Sequence, residues 1–281
     1  MKPKYPVQTL SQHSLNITNA QRSLEFYCAQ LGMTLVEEAT YDGKHHLFLS
    51  YTDNEALDSQ SAVLELVVDN DNPFDNALSN SGYWKIAISV ADLDVAYKRL
   101  TQTECTISKP FEVPNVAYLC HCEDPDGYCV EFLQHRFIRN HVAQKTNEPF
   151  PLATKAAFSL ITLKIKDPEA SLAFYQSQLG LRLLSRQEVT GRRFTLYFLS
   201  ADSEIPPTSD IDDIPLREWL WQRPYTLLEL QHVHGTESLS EFKYQTDSST
   251  GLRSVKFESS NRDNEPVRLF DPDGYAIEIT N

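Results

Sequence analysis

The chain lacks any apolar run approaching the ~18 residues a membrane-spanning helix requires. Its opening, Met1-Lys-Pro-Lys-Tyr-Pro6, has no apolar signal region behind it. Clusters of Lys and Arg are missing, and the net charge is -14. Nucleic-acid binding needs a basic footprint, so that class is set aside. The same field repels anionic small molecules, and an anionic ligand would need local Lys or Arg contacts. Cysteine is absent from the second half. Cys28, Cys105, Cys120, Cys122 and Cys129 form an odd, one-sided set, which does not read as a disulfide framework. The expectation is a cytoplasmic protein, monomer or homodimer, whose partner is a small molecule rather than a nucleic acid or a membrane.

What the chain does have is a repeat. Asn19-Ala-Gln-Arg-Ser-Leu-Glu-Phe-Tyr-Cys-Ala-Gln-Leu-Gly-Met33 returns as Asp167-Pro-Glu-Ala-Ser-Leu-Ala-Phe-Tyr-Gln-Ser-Gln-Leu-Gly-Leu181. Asp124-Pro-Asp-Gly-Tyr-Cys-Val-Glu131 returns as Asp271-Pro-Asp-Gly-Tyr-Ala-Ile-Glu278. The two echoes lie roughly 147 residues apart, so one chain holds two similar units.

Each unit opens strand, helix, strand. Leu15 and Ile17 alternate with Ser14, Asn16 and Thr18, which is strand period. Asn19 then caps a helix with Leu24, Tyr27, Cys28 and Leu31 on one stripe, and Gly32 stops it. In the copy, Asp167 caps, Pro168 takes the first helical position and Gly180 stops the helix. Lys44–Ser50 matches Phe194–Ser200 as a strand, and Val63–Val67 matches Leu227–Gln231. Unit one starts a second round at Trp84–Val90. There Asp92 caps a short helix, and a hairpin at Asp124–Gly127 closes the unit. Only 26 residues separate Leu252 from Glu278, against 46 between Lys85 and Glu131, so the second-round helix of unit two is expected to be missing. The fold class is therefore α+β: tandem βαβββ modules forming two units with curved mixed sheets, the final module shortened. The boundaries read as a first unit over 1–138, a linker over 139–156 and a second unit over 157–281. The acidic stretch Asp202–Pro215 reads as a solvated loop without the spacing of a calcium loop.

Two βαβββ rounds with a phased SLxFY helix and a DPDGYxxE hairpin resemble the vicinal-oxygen-chelate superfamily. The stretch Leu196–Ser200, the Pro-containing insertion, Trp219, Trp221 and Leu228-Glu-Leu-Gln-His-Val-His-Gly-Thr-Glu237 resemble glyoxalase I (lactoylglutathione lyase) in its fused, two-unit form. That resemblance implies a divalent metal (Ni, Zn, Co or Mn) at each active site. Its four ligands are a His or Gln, a Glu, a second His and a final Glu that also moves the proton. The matching positions are Gln12, Glu65, Lys85 and Glu131 in unit one, and Leu160, Glu229, Leu252 and Glu278 in unit two. Glu65 lies between Leu64 and Leu66, and Glu278 between Ile277 and Ile279, so strand alternation turns both away from the helix-packing side.

Two groupings are open. If the units pair across the repeat, one site holds Gln12, Glu65, Glu278 and Leu252. Its three oxygen donors form the candidate metal set, with Glu278 as catalytic base. The other site then holds Lys85, Glu131, Glu229 and Leu160. An ammonium has no lone pair to give a metal, so Lys85 is read as taking the metal's place in a degenerate site. If each unit closes on itself, Lys85 joins Gln12, Glu65 and Glu131, and unit two keeps two carboxylates. No matched position holds a histidine under either grouping. His46 could supply a nitrogen, but it reads more simply as a surface or hydrogen-bonding group. Cys120, Cys122 and Cys129 flank one hairpin with His121 as the nearby nitrogen donor, but without a standard zinc spacing they read as buried small residues.

Phe194, Leu196 and Phe198 share an inward face and match the apolar substrate pocket of the resembled family. Their unit-one counterparts Lys44, His46 and Phe48 are more polar. The family grips the two carboxylates of glutathione with basic residues; Asn16 and Lys164 stand at that position, with Arg262 and Arg268 nearby. Two functions follow. One is a glyoxalase I-like isomerase converting the glutathione–methylglyoxal hemithioacetal to S-lactoylglutathione, with Glu278 or Glu131 as base and one or both sites degenerate. The other is a non-catalytic binding protein on the same fold, with no cofactor. A third, extradiol dioxygenase chemistry, needs two histidines and a carboxylate for iron, which these positions lack.

Overall fold

The computed structural model describes residues 2–51, 61–71, 74–75, 78–138, 151–152, 154–189, 191–261 and 265–281. Most of the expected linker over 139–156, and Arg262, lie outside these residues. The first round is β1 (Val7–Ile17), α1 (Ala20–Leu24), β2 (Thr34–Tyr41), β3 (Lys44–Ser50) and β4 (Val63–Val68). The second is β5 (Tyr83–Val90), α2 (Leu93–Leu100), β6 (Phe111–Val113), β7 (Ala117–Glu123) and β8 (Cys129–Gln134). Unit two runs β9 (Ala156–Ile165), α3 (Pro168–Phe174), β10 (Arg182–Val189), β11 (Phe194–Ser200), α4 (Ile214–Leu220) and β12 (Leu227–Val233). It ends with β13 (Leu252–Ser259), β14 (Val267–Phe270) and β15 (Ala276–Thr280), and no α-helix is found between β13 and β14 among the described residues.

The repeated motifs fold alike because they make the same bonds. Asn19 accepts from the Arg22 amide and Asp167 from the amides of Glu169 and Ala170, which satisfies the free N–H groups at each helix start. Both helices then widen into a π-helical turn, over Glu25–Gln30 and Tyr175–Leu179. The tyrosine of each SLxFY helix donates to the first aspartate of its own hairpin: Tyr27 to Asp124 at 2.8 Å and Tyr175 to Asp271 at 2.9 Å. Hairpin tyrosines reach the other way. Tyr128 donates to the Asn16 carbonyl at 2.7 Å, and Tyr275 to the Lys164 carbonyl at 2.8 Å.

The strands form two sheets. Sheet one has the order β14-β15-β13-β1-β4-β3-β2, and sheet two β10-β11-β12-β9-β5-β8-β7-β6. Each sheet joins one module from each repeat, through β1 antiparallel to β13 and through β5 antiparallel to β9. The units therefore pair across the repeat, and 1–138 and 157–281 do not own separate sheets. Gly251 and Gly82 mark the two crossings. A Cβ at Gly251, which has φ +88°, would lie 1.8 Å from the Tyr128 hydroxyl, and one at Gly82 would lie 2.2 Å from that of Tyr275. Only glycine admits the tyrosine of the opposite repeat at these points.

Immediately after these glycines the strands bulge. Tyr83 faces Leu163 but Lys85 faces Thr162; Leu252 faces Leu15 but Ser254 faces Ser14. The extra residue, Trp84 or Arg253, reverses the side-chain phase. This corrects the expectation for Leu252. It is buried in the helix-side core, and Ser254 is the counterpart of Lys85.

One apolar core packs the helices between the sheets, with Leu15, Tyr27, Phe132, Leu163, Tyr175 and Phe257 among its members. A second fills the concave face of sheet two alone, around Leu160, Phe198 and Trp221. The acidic loop is less free than expected. Arg186 pairs with Asp212 through both guanidinium arms, and its backbone N–H donates to the Ile211 carbonyl, so the loop is tied to β10. Cys120 and Cys122 are buried, and all five cysteines are free thiols. Among the described residues no helix is long and apolar enough to cross a membrane.

Candidate functional site

Sheet two places Lys85, Glu131 and Glu229 together on its concave face. Strands β5, β8, β9 and β12 are neighbours there, and the bulge at Trp84 turns Lys85 inward. Lys85 Nζ lies 2.7 Å from Glu131 Oε1 and 3.4 Å from Glu229 Oε2. It also sits 4.7 Å from the centre of the Trp84 ring, a cation–π contact. All three side chains are at most 6% exposed. Glu131 Oε2 pairs with His121 Nε2 at 2.9 Å.

The charges balance by proximity. Burial alone would raise the Glu131 carboxyl, but the Lys85 ammonium and His121 outweigh it and hold Glu131 at about 2. Burial and the Glu131 charge push Glu229 up to about 7, against the pull of Lys85. Burial would lower Lys85, yet the two carboxylates keep it well above the usual lysine value. One ammonium thus faces one full carboxylate and one carboxyl poised to hold a proton at neutral pH. Leu160, the fourth matched position, is apolar and belongs to the cavity wall.

Above the cluster opens a partly enclosed, mainly apolar cavity. Phe194, Leu196 and Phe198 line it, together with Trp84, Phe111 and Trp221. Lys164 lies outside the cavity lining. Its ammonium donates to the Ser81 carbonyl at 3.0 Å, and burial pulls its pKa down. Several buried polar atoms of the wall are unpartnered: both amide atoms of Gln187 and the indole Nε1 of Trp221. Each such group costs about 1–3 kcal/mol. Gln187 and Trp221 were not legible as site polar groups. Gln187 sits mid-strand, and Trp221 follows the C-terminal end of α4.

Sheet one carries the duplicate site on a polar wall. Glu65 Oε2 accepts from Gln12 Nε2 at 2.6 Å and from the Ser14 hydroxyl, while Oε1 pairs with His46 Nδ1 at 2.7 Å. Gln12 Oε1 accepts from Lys256 Nζ at 3.3 Å. Glu278 shares this face but is reached through Lys256, whose Nζ lies 4.0 Å from its Oε2. Arg268 Nη1 stands 3.8 Å from the other oxygen. Lys256 was missed by the sequence reading. Its signal was the alternation of Ser254, Lys256 and Glu258 with Val255 and Phe257, once the bulge is known. Of the expected basic clamp, Asn16 accepts from Arg253 at 2.9 Å and Arg268 is spent on Glu278.

The profile of the Glyoxalase/Bleomycin resistance protein/Dioxygenase superfamily matches residues 9–132. A lactoylglutathione lyase of Pseudomonas putida is 30% identical over 158 residues, covering 48% of this chain and 90% of that protein. The chain belongs to the glyoxalase superfamily. Over its greater length it is similar to the glyoxalase I of Saccharomyces cerevisiae, 26% identical over 265 residues, covering 87% of this chain and 75% of the yeast protein. The crystal structure of glyoxalase I from Zea mays superposes with a TM-score of 0.70 at 18% identity, covering 97% of this chain and 92% of that one. This establishes the shared fold: two curved mixed sheets built from duplicated modules.

Within that superfamily frame, the metal can be tested against the donors present. At sheet two, Lys85 and Leu160 offer no lone pair, and an ammonium already neutralises the carboxylates. At sheet one, Ser254 stands in the histidine position, and Lys256 and Arg268 bracket Glu278. Among the described residues no cluster of three His, Cys, Asp or Glu has metal-holding geometry. The sheet-two donor set does not fit a divalent cation.

Proposed function

We propose that this protein is a metal-independent small-molecule binding protein on the glyoxalase fold, with the apolar cavity of sheet two as its binding site. The observation that carries this reading is the position of Lys85, buried against Glu131 and Glu229 at 2.7 and 3.4 Å. A fixed cation of this kind balances the acidic floor permanently, which leaves the apolar walls free to take a ligand. Dialysis against nickel, zinc, cobalt or manganese, followed by metal analysis, should return far less than one ion per chain. Near-stoichiometric metal together with formation of S-lactoylglutathione would sink the proposal.

A second reading keeps the isomerase. Its support is the Gln12–Glu65 hydrogen bond with Glu278 on the same face of sheet one, and the likeness to lactoylglutathione lyases. In that reading the substrate is the hemithioacetal of glutathione and methylglyoxal, and Glu278 is the base. Any S-lactoylglutathione formation should then vanish in Glu278→Gln; unchanged turnover would remove Glu278 from the role. A complementary gain test uses sheet two. The imidazole introduced by Lys85→His joins Glu131 and Glu229 as a third donor, so this variant is expected to bind about one zinc per chain. Failure to gain metal would mean that the two carboxylates do not converge as described.

A further inference from the structure

We infer that the ligand of the sheet-two cavity is an uncharged, largely apolar aromatic molecule carrying a carbonyl group, held by the buried unpartnered donors Gln187 and Trp221. This inference rests on the binding reading and adds the chemical class. Three observations lead to it. Apolar side chains dominate the wall, and Phe194, Phe198 and Trp221 offer ring faces and edges. Gln187 is 0% and Trp221 1% exposed, both line the cavity, and neither side chain has a hydrogen-bond partner for its N–H. An indole N–H can only donate, so its missing partner is an acceptor oxygen or nitrogen. The Gln187 amide adds a donor and an acceptor on β10, in the cavity wall.

Charge excludes the alternatives. The only buried ammonium facing the cavity, among the described residues, is already matched by two glutamates. A carboxylate ligand would therefore enter beside Glu131 and Glu229 without a free buried cation. Arg192 is at the exposed rim, stacked 6.0 Å from Phe111, and is too solvated to hold a deep anion. A cationic ligand would compete with Lys85 for carboxylates it already holds. A carbonyl compound meets the donors without bringing net charge into an apolar box.

The test is equilibrium dialysis of the intact protein with three matched probes: 2-acetylnaphthalene, 2-ethylnaphthalene and 2-naphthoate. The acetyl compound is expected to bind at least tenfold more tightly than the ethyl compound, and the carboxylate more weakly than either. Gln187→Leu and Trp221→Phe should each shrink the acetyl preference several-fold while leaving ethylnaphthalene binding within threefold. Ala117→Phe, which fills the cavity, should abolish binding of all probes; circular dichroism confirms that each variant is folded. Equal binding of the acetyl and ethyl probes, both lost in Ala117→Phe, would overturn the carbonyl inference and leave the binding reading standing. No binding of any probe by the folded wild-type protein would overturn both.

Discussion

Lys85→Met is expected to lower folding stability by about 3–5 kcal/mol at pH 8. Methionine fills the volume but leaves Glu131 and Glu229 buried with no cation between them. Both are essentially inaccessible, so water cannot replace the lost ammonium. Each carboxyl then resists ionisation through burial and through the other's charge, and its folded pKa rises above the ordinary 4.5. A group with a raised folded pKa loses stability as pH climbs. The penalty of Lys85→Met must therefore shrink as pH falls to 5, where the folded carboxyls hold their protons. Urea unfolding at pH 5 and pH 8 reads this directly. The triple variant Lys85→Met, Glu131→Gln, Glu229→Gln should recover most of the loss, because removing a whole buried ionic cluster costs far less than removing one member. A loss under 1 kcal/mol, equal at both pH values, would mean that the three groups do not share a dry site.

The sequence carried the architecture well because each piece is locally signalled. Asn19, Asp92 and Asp167 cap helices where the polar-to-apolar switch places them, and all three side chains accept from the first helical turn. Glu65, Glu131, Glu229 and Glu278 fall on concave faces because strand alternation allows no other phase. The pairing of modules across the repeat was not decided by any local signal. It rests on long-range register between β1 and β13 and between β5 and β9. The bulge at Arg253 was invisible for the same reason: a one-residue insertion is defined only against its partner strand. It displaced the reading to Leu252 and hid Ser254 and Lys256. The polar atoms of Gln187 and Trp221 were equally hidden, since only a packed cavity shows which groups go without a partner.

The duplicated sites diverge along one physical line. Matched pairs run Gln12 with Leu160, Glu65 with Glu229, Ser254 with Lys85, Lys256 with Ala87, and Arg268 with His121. Both faces keep two glutamates, and both place a lysine near them, but two positions apart along the strand. On sheet one Lys256 is 25% exposed and reaches Glu278 only at 4.0 Å, so solvent shares the task of balancing charge. On sheet two the wall is apolar, and balance must come from direct contact at 2.7 Å. A polar wall thus accompanies loose, screened charge, and an apolar wall accompanies a locked ion cluster. The apolar cavity is the one whose charges are already settled.

Because the lock is asymmetric, its two carboxylates should leave opposite signatures in stability. Glu229 is raised to about 7 in the folded protein, by burial first and by Glu131 second, from an ordinary 4.5. Between those values the folded protein binds a proton that the unfolded chain does not. The stability contributed by Glu229 is therefore full below pH 4.5 and lost as pH rises through 7, a span of about 3 kcal/mol. Glu131 is held near 2 despite its burial, by Lys85 and His121, so its contribution is full above pH 4.5 and lost as pH falls towards 2. Wild-type unfolding alone would mix these with Asp124 and Asp271, which burial raises to about 7 and about 6. The difference between wild type and Glu229→Gln cancels both aspartates, which lie in the hairpins and are common to the two proteins. That difference should fall by about 3 kcal/mol from pH 4.5 to 7.5. A level profile for Glu229→Gln would show that Glu229 is ionised throughout, and that Lys85 is shared evenly between its two partners.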